Sequence, residues 1–99
     1  MSDAAARSGQ AIPRIAPLYR FQWELAQNSY VLLFPEGMVQ LNATAGEILK
    51  RCNDRDSVAH IITDLVRVFE SDAIAADVEA FLQDATEQGW IEWRVAVPE

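Results

Sequence analysis

Apolar and polar residues alternate strictly in the first strongly patterned part of the chain. The apolar set is Tyr19, Phe21, Trp23 and Leu25, and the intervening polar set is Arg20, Gln22 and Glu24. This period of two predicts a strand with one buried and one solvated face. Residues 30–34 are apolar throughout, as is typical of a central strand. The Pro35-Glu36-Gly37 turn then predicts a third strand, Met38 to Leu41, at the edge of the sheet.

After these strands, apolar residues recur at intervals of three and four, which predicts helices. The first helix is capped either by Asn42 or by Thr44 in a capping box with Glu47. Ser57 is the expected cap of the second helix. The inward-facing sets are Ala45, Ile48, Leu49 and Cys52 in the first helix, and Val58, Ile61, Ile62, Leu65 and Phe69 in the second.

A third helix is predicted to open at Ser71 and Asp72 and to end at Gly89. Its apolar face consists of Ile74, Val78, Phe81, Leu82 and Ala85. Trp90 follows at the position where a Schellman-type helix end often makes its hydrophobic contact. Residues 91–95 alternate once more and predict a short closing strand.

The order of elements predicts an α+β fold that resembles a winged helix in outline. It consists of a three-stranded antiparallel sheet followed by three helices, with a possible short C-terminal strand. We expect residues 1–11 to form a flexible tail, residues 12–95 a single domain, and residues 96–99 a C-terminal tail. Residues 12–17 contain two prolines among aliphatic side chains and predict an extended arm packed on the domain.

Composition and charge narrow the function classes. With 99 residues and 51% apolar content, the chain has the profile of one soluble domain. The single cysteine, Cys52, and the lack of a signal or membrane segment favour the cytoplasm. The net charge is −7, and the segment from Val68 to Trp93 contains only acidic charges. Such a surface repels phosphate backbones, which argues against nucleic-acid partners.

The residues do not supply a set of catalytic or metal-binding groups. Cys52 lies on the apolar side of its helix and is expected to be buried. His60 is a lone imidazole on the outer side of the second helix, whereas metal sites need several ligands. We therefore expect no catalytic residue, no metal and no cofactor.

The aromatic residues have two interpretations, core packing or a partner-binding patch. Alternating aromatics on a strand normally face the core, and Trp93, near the domain end, is the expected exception. The acidic face of the third helix has the same ambiguity, because such charges usually only solvate a helix. These acids are Asp77, Glu79, Asp84 and Glu87.

A family resemblance follows from the ordered spacing of several short pieces. They are Leu32-Leu33-Phe34-Pro35-Glu36-Gly37, Leu41-Asn42-Ala43-Thr44-Ala45 with Ile48-Leu49 and Cys52, Ser57-Val58 with Ile61, and Asp77-Val78 with Phe81-Leu82 and Gly89. Together they resemble the PqqD family, the peptide chaperones of pyrroloquinoline quinone (PQQ) biosynthesis, from about Ile12 to Arg94.

The resemblance implies a function in peptide recognition. Members of the family are stand-alone precursor-peptide recognition elements with a winged-helix-like fold. The chain would accordingly be a non-catalytic chaperone that binds the ribosomal precursor peptide PqqA. It would present this peptide to PqqE, the radical S-adenosylmethionine (SAM) enzyme that cross-links it, and would hold no iron–sulfur cluster itself.

The resemblance also implies a binding site, in which the peptide adds as a strand along the third strand and beside the third helix. The candidate peptide-binding residues are Met38, Val39, Gln40, Leu41, Asp77, Phe81, Asp84 and Ala85. Because proline removes an amide donor, Val39→Pro is the first test that the sequence suggests.

Three alternatives remain open at this stage. A winged helix can also serve as a DNA-binding or a general protein-interaction module. An enzyme acting on a quinone precursor lacks a plausible residue set. A monomer is the expected state, although an exposed strand edge that accepts a peptide can also pair with a second copy to form a homodimer.

Overall fold

The computed structural model describes residues 9–95. Five strands and three helices follow one another along the chain. In chain order they are β1 (Ala11–Ile15), β2 (Arg20–Glu24), β3 (Ser29–Phe34), β4 (Gly37–Gln40), α1 (Ala43–Lys50), α2 (Val58–Phe69), α3 (Ile74–Gln88) and β5 (Ile91–Val95). The predicted α+β fold, with a three-stranded sheet followed by three helices, is confirmed.

The three-stranded sheet is antiparallel and has the order β2-β3-β4. Leu32 of the central strand lies opposite Phe21 on one side and Val39 on the other. β3 has neighbours on both edges, and both Val31 and Leu32 are completely buried although their side chains point to opposite faces of the sheet. The uninterrupted apolar run therefore marks the central strand, as predicted.

The ends of the described chain form a second sheet, in which β1 pairs antiparallel with β5. The predicted C-terminal strand is thus confirmed, and its partner is the N-terminal arm. An ion pair of 2.9 Å between Arg14 and Glu92 joins the two strands. A second ion pair, Arg94 with Asp54 at 3.0 Å, fastens β5 to the loop before α2.

The boundary expected between tail and domain was placed too late. Ala11 is fully buried in β1, and the carbonyl of Gly9 accepts a hydrogen bond of 3.0 Å from the amide of Ala59. Ordered backbone therefore begins at least as early as Gly9. The rest of the two expected tails, residues 1–8 and 96–99, lies outside the described residues.

Side-chain caps define the beginnings of the first two helices. The Asn42 side chain accepts a hydrogen bond of 2.8 Å from the amide of Ala45, which decides between the two predicted caps of α1. The Ser57 hydroxyl accepts a hydrogen bond of 3.2 Å from the amide of His60 at the start of α2. Each bond satisfies an amide that has no partner within its helix.

The third helix begins later than the sequence predicted. Its N-cap is Ala73, which makes no capping bond, whereas Ser71 accepts from the Ala73 amide in the preceding turn. The C-terminal prediction is confirmed, because Gly89 adopts a left-handed φ of 80°. The amide of Trp90 donates to the Ala85 carbonyl at 2.9 Å, which is the Schellman arrangement.

One hydrophobic core unites the helices with the inner face of the sheet. Its buried members include Leu32, Leu41, Ile48, Leu49, Ile61, Leu65, Val78, Leu82 and Ala85. The contact between α1 and the sheet depends on Gly46, since a Cβ there would lie only 2.7 Å from Cδ2 of Tyr30. A glycine at this position lets the helix approach the aromatic ring directly.

An ion-pair network joins α1 to α2. Arg51 donates to Glu47 at 2.8 Å and to Asp64 at 2.6 Å. Although burial acts to lower it, the pKa of Arg51 is raised by its hydrogen bonds to these two carboxylates. The hydrogen bond from Arg51 lowers the pKa of Asp64, and Arg67 contributes in the same direction.

Candidate functional site

The outer edge of β4 is open in the part of the chain that the structure describes. β4 is the last strand of its sheet and pairs only with β3 among residues 9–95. The loop before it contains two residues, since Phe34 lies opposite Gly37. An open edge presents unpaired amides and carbonyls, which can template another strand.

The direction of each amide in β4 follows from the ladder. The amide of Leu41 donates to the carbonyl of Tyr30 at 3.0 Å, so this opposed pair is a hydrogen-bonded one. Hydrogen-bonded and non-hydrogen-bonded pairs alternate along antiparallel strands. Val39 therefore points its backbone groups toward β3, whereas Met38 and Gln40 point theirs toward the open edge.

The alternation of amide directions along β4 corrects the Val39→Pro test that the sequence suggested. Val39 lies opposite Leu32 in the register, and its amide belongs to the internal ladder. A proline at Val39 would therefore damage the sheet itself and leave both outward amides intact. The two-residue hairpin loop could have revealed these amide directions from the sequence. The pair at Gly37 that closes the loop is hydrogen-bonded, and the amides of β4 alternate in direction from that pair onward.

The side chains of β4 alternate between the two faces of the sheet. Val39 is partly buried against the hydrophobic core. Met38 is 44% exposed on the opposite face, and Gln40 is exposed beside it. Leu41, immediately after the strand, is buried, so this side chain belongs to the core and is not free to contact a partner.

Helix α3 contributes a mixed acidic and aromatic stripe. Asp77, Phe81 and Asp84 recur at four- and three-residue steps and therefore share one helix face. Both carboxylates are exposed, and Phe81 is partly buried with its ring centroid 6.3 Å from that of Trp90. Neither carboxylate makes an ion pair with another described residue. Ala85 is completely buried, so it belongs to the core side of α3 and offers no accessible surface.

The predicted site residues thus fall into three groups. Val39 and Phe81 are both partly buried against the same core, although the elements that α3 contacts most are α2 and β5. Met38, Gln40, Asp77 and Asp84 are accessible to a partner. Leu41 and Ala85 are interior residues that shape the site without lining its surface.

The aromatic residues are distributed differently from the prediction. Trp93 is partly buried against the core, and its indole N–H donates to the Thr86 hydroxyl at 2.8 Å. Trp23 is instead the exposed tryptophan, with 47% of its surface accessible. The expectation that Trp93 would be the exception was therefore wrong, because β5 is held between β1 and α3 while β2 is an open edge.

Cys52 and His60 carry a thiol and an imidazole, groups that serve in catalysis and metal binding in other proteins. Cys52 is buried, and burial raises the pKa of its thiol to about 12, so the reactive thiolate is strongly disfavoured. His60 is exposed, with Nε2 at 3.8 Å from Oδ1 of Asp56. Among residues 9–95 there is no cluster of three or more potential metal ligands. No helix in the same range is long and apolar enough to cross a bilayer.

Comparison with known proteins shows which family this chain is similar to. A family model described as coenzyme PQQ synthesis protein D (PqqD) matches residues 29–91. A protein of Azotobacter vinelandii named PqqA binding protein is 50% identical over 82 residues, covering 82% of this chain and 89% of its own. The PqqA binding protein of Methylococcus capsulatus is 43% identical over 77 residues, covering 78% and 83%.

A solved structure extends the similarity to the fold. It is the solution NMR structure of the PqqD truncation of PqqCD from Methylobacterium extorquens, described as a functional, stand-alone recognition element for ribosomally synthesised and post-translationally modified peptides. It matches with a TM-score of 0.73 and 28% identity, covering 92% of this chain and 99% of that one. These descriptions name binding and recognition, in agreement with the expectation of a non-catalytic protein. The family model covers more than half of the chain, and together with these relatives it shows that the chain belongs to the PqqD family of coenzyme PQQ synthesis proteins.

Proposed function

We propose that this protein binds the precursor peptide PqqA as an added strand on the open edge of β4 and presents it to the radical SAM enzyme PqqE. Relatives at 43% and 50% identity carry the name PqqA binding protein. The observation that carries the binding mode is the unpaired edge, at which Met38 and Gln40 direct backbone groups outward. Main-chain pairing would supply affinity, and alternate side-chain contacts would supply selectivity.

The candidate site residues of β4 and α3 favour a particular peptide. On the outer face of the sheet, the exposed side chain of Met38 offers an apolar cross-strand contact. Along α3, Phe81 lies between the exposed side chains of Asp77 and Asp84, and neither carboxylate makes an ion pair with another residue in the range 9–95. Carboxylates without ion-pair partners favour a neutral or basic side chain in the peptide and reject acidic ones.

A proline at Gln40 tests the binding mode, with alanine at the same position as the matched control. Gln40→Pro removes one outward amide, while Gln40→Ala removes only the side chain. Prolines are tolerated at edge positions whose amide faces solvent. One net hydrogen bond of about 0.5–1.5 kcal/mol corresponds to a loss of affinity of roughly twofold to thirteenfold. The affinity for PqqA is to be measured by isothermal titration calorimetry, with thermal unfolding to verify the fold.

The two variants give opposing outcomes. Strand addition requires Gln40→Pro to weaken PqqA binding while Gln40→Ala leaves it close to the unsubstituted value. Equal affinities for the two folded variants would overturn the proposed edge. Presentation to PqqE has its own readout, because the yield of cross-linked peptide should fall in parallel with PqqA occupancy. If the yield of cross-linked peptide does not change when this protein is added, the proposed presentation to PqqE is wrong.

Self-association at the same edge predicts competition. If a second copy pairs with β4, addition of PqqA should shift the sedimentation coefficient toward that of a monomer–peptide complex. We propose a monomer as the binding form, because two copies would bring together chains that each carry a net charge of −7.

A further inference from the structure

A small cavity lies between the sheet and the first turn of α1. Trp23 and Tyr30 of neighbouring strands line one side, and Asn42 and Glu47 line the other. Leu41 also belongs to its lining, so the cavity begins where β4 ends. The indole of Trp23 meets the ring of Tyr30 edge-on, with centroids 4.9 Å apart and an interplanar angle of 79°.

The size of the cavity restricts its occupant. Its volume is about 180 Å³, whereas cofactor and small-molecule pockets span roughly 300–1,000 Å³. A cavity of about 150 Å³ in another protein accommodates one benzene ring. The space here therefore fits one side chain of a polypeptide and is too small for a quinone cofactor.

The walls of the cavity are rigid on the aromatic side. Tyr30 is held between the stacked ring of Phe21, at 4.7 Å between centroids, and the backbone of Gly46 in α1. The Trp23 indole contacts the Tyr30 ring edge-on, and 47% of the surface of Trp23 remains accessible. The exposed face of an indole is a good platform for a cation.

The polar side of the cavity carries negative charge. Glu47 is the acidic residue of the lining, and its side chain is 29% exposed. Oε1 of Glu47 accepts a hydrogen bond of 2.8 Å from Arg51, and no basic residue lines the cavity among those described. A carboxylate and an indole in the lining of one cavity, on a chain of net charge −7, favour a positively charged occupant.

We infer that this cavity binds one basic side chain, lysine or arginine, of the bound precursor peptide. The inference rests on the proposed function for the source of that side chain. Leu41 and Asn42, which follow β4 directly, line the cavity, so a strand added along β4 and continuing past Gln40 would pass this end of the cavity. Two residues of extended chain advance about 7 Å, so the basic residue would lie just beyond the segment paired with β4.

Charge at the cavity is tested by Glu47→Gln, with Glu79→Gln on the exposed face of α3 as the matched control. Both substitutions remove one negative charge, and Arg51 keeps its ion pair with Asp64 in the first variant. Calorimetric titration with PqqA should show a loss of affinity of roughly 1.5-fold to fivefold for Glu47→Gln only, on the order of one partly exposed charge pair. Equal affinities of the two variants would overturn the inference.

A second measurement does not depend on β4. Nα-acetyl-arginine amide is titrated into the ¹⁵N-labelled protein, with Nα-acetyl-citrulline amide as its neutral counterpart. The arginine derivative should shift the indole N–H signal of Trp23 and the side-chain amide signals of Asn42, and the citrulline derivative should not. Equal shifts with both compounds, or shifts confined to other residues, would contradict the inference.

The two proposals fail separately. If Gln40→Pro leaves PqqA affinity unchanged while Glu47→Gln weakens it, strand addition is wrong and the basic-residue site stands. If only Gln40→Pro weakens binding, the cavity is not a peptide-binding site and strand addition stands.

Discussion

Replacement of Gly46 by alanine tests how closely α1 packs on the sheet. The new Cβ would lie 2.7 Å from Cδ2, 3.2 Å from Cβ and 3.3 Å from Cγ of Tyr30. The first distance is below any ordinary carbon–carbon contact, so the ring or the helix must move. Movement of the ring is restricted, because Phe21 stacks on it at 4.7 Å and Trp23 abuts it at 4.9 Å.

Two effects of opposite sign decide the outcome. Alanine is favoured over glycine within a helix by about 1 kcal/mol. Overpacking of a filled site costs about 1–3 kcal/mol. The expected net result is therefore a loss of about 0–2 kcal/mol in the free energy of unfolding, where an unconstrained helical glycine would show a gain of about 1 kcal/mol.

A double-mutant cycle separates the two effects. Tyr30→Leu removes the ring, so Gly46→Ala in that background should stabilise the protein by up to about 1 kcal/mol. Unfolding free energies are to be measured by urea titration followed by circular dichroism, which does not depend on the contact between Trp23 and Tyr30. The change of sign between the two backgrounds is the diagnostic result.

The reasoning fails if Gly46→Ala stabilises the unsubstituted protein by the full helix-propensity difference. It also fails if the effect is the same with and without the Tyr30 ring. Either result would mean that α1 does not press on the sheet at this position, and that the rigid aromatic side of the cavity is looser than the structure indicates.

Two further predictions concern titrating groups. The pKa of Asp64 is lowered in the folded state by its hydrogen bond from Arg51, so its stabilising contribution is present above the unfolded-state pKa and is lost as the pH falls through the folded value. Asp64→Asn should therefore lose less stability than the unsubstituted protein between pH 7 and about pH 3, and superimposable pH profiles would refute this. Burial raises the pKa of Cys52 to about 12, so iodoacetamide should modify it slowly at neutral pH and rapidly in denaturant, whereas rapid labelling of the folded protein would show that the thiol is accessible.

Local patterns determined much of the fold. Period-two alternation, the apolar run of residues 30–34 and the Pro35–Gly37 turn specify adjacent strands, because each depends on neighbours in sequence. The caps at Ser57 and Gly89 are likewise satisfied by residues within one helical turn. The strand that forms the open edge was predictable for the same reason, since a meander leaves its last strand without a second neighbour.

Tertiary structure decided the features that depend on distant partners. The pairing of β1 with β5 joins opposite ends of the domain, and no local pattern in residues 11–15 indicates it. The burial of Ala85 and the exposure of Trp23 depend on which element covers each residue, because the same amphipathic pattern is compatible with several neighbours. The sequence determined which strand presents an open edge, and tertiary packing determined which side chains of β4 and α3 are exposed, because the burial of a residue depends on the elements that cover it.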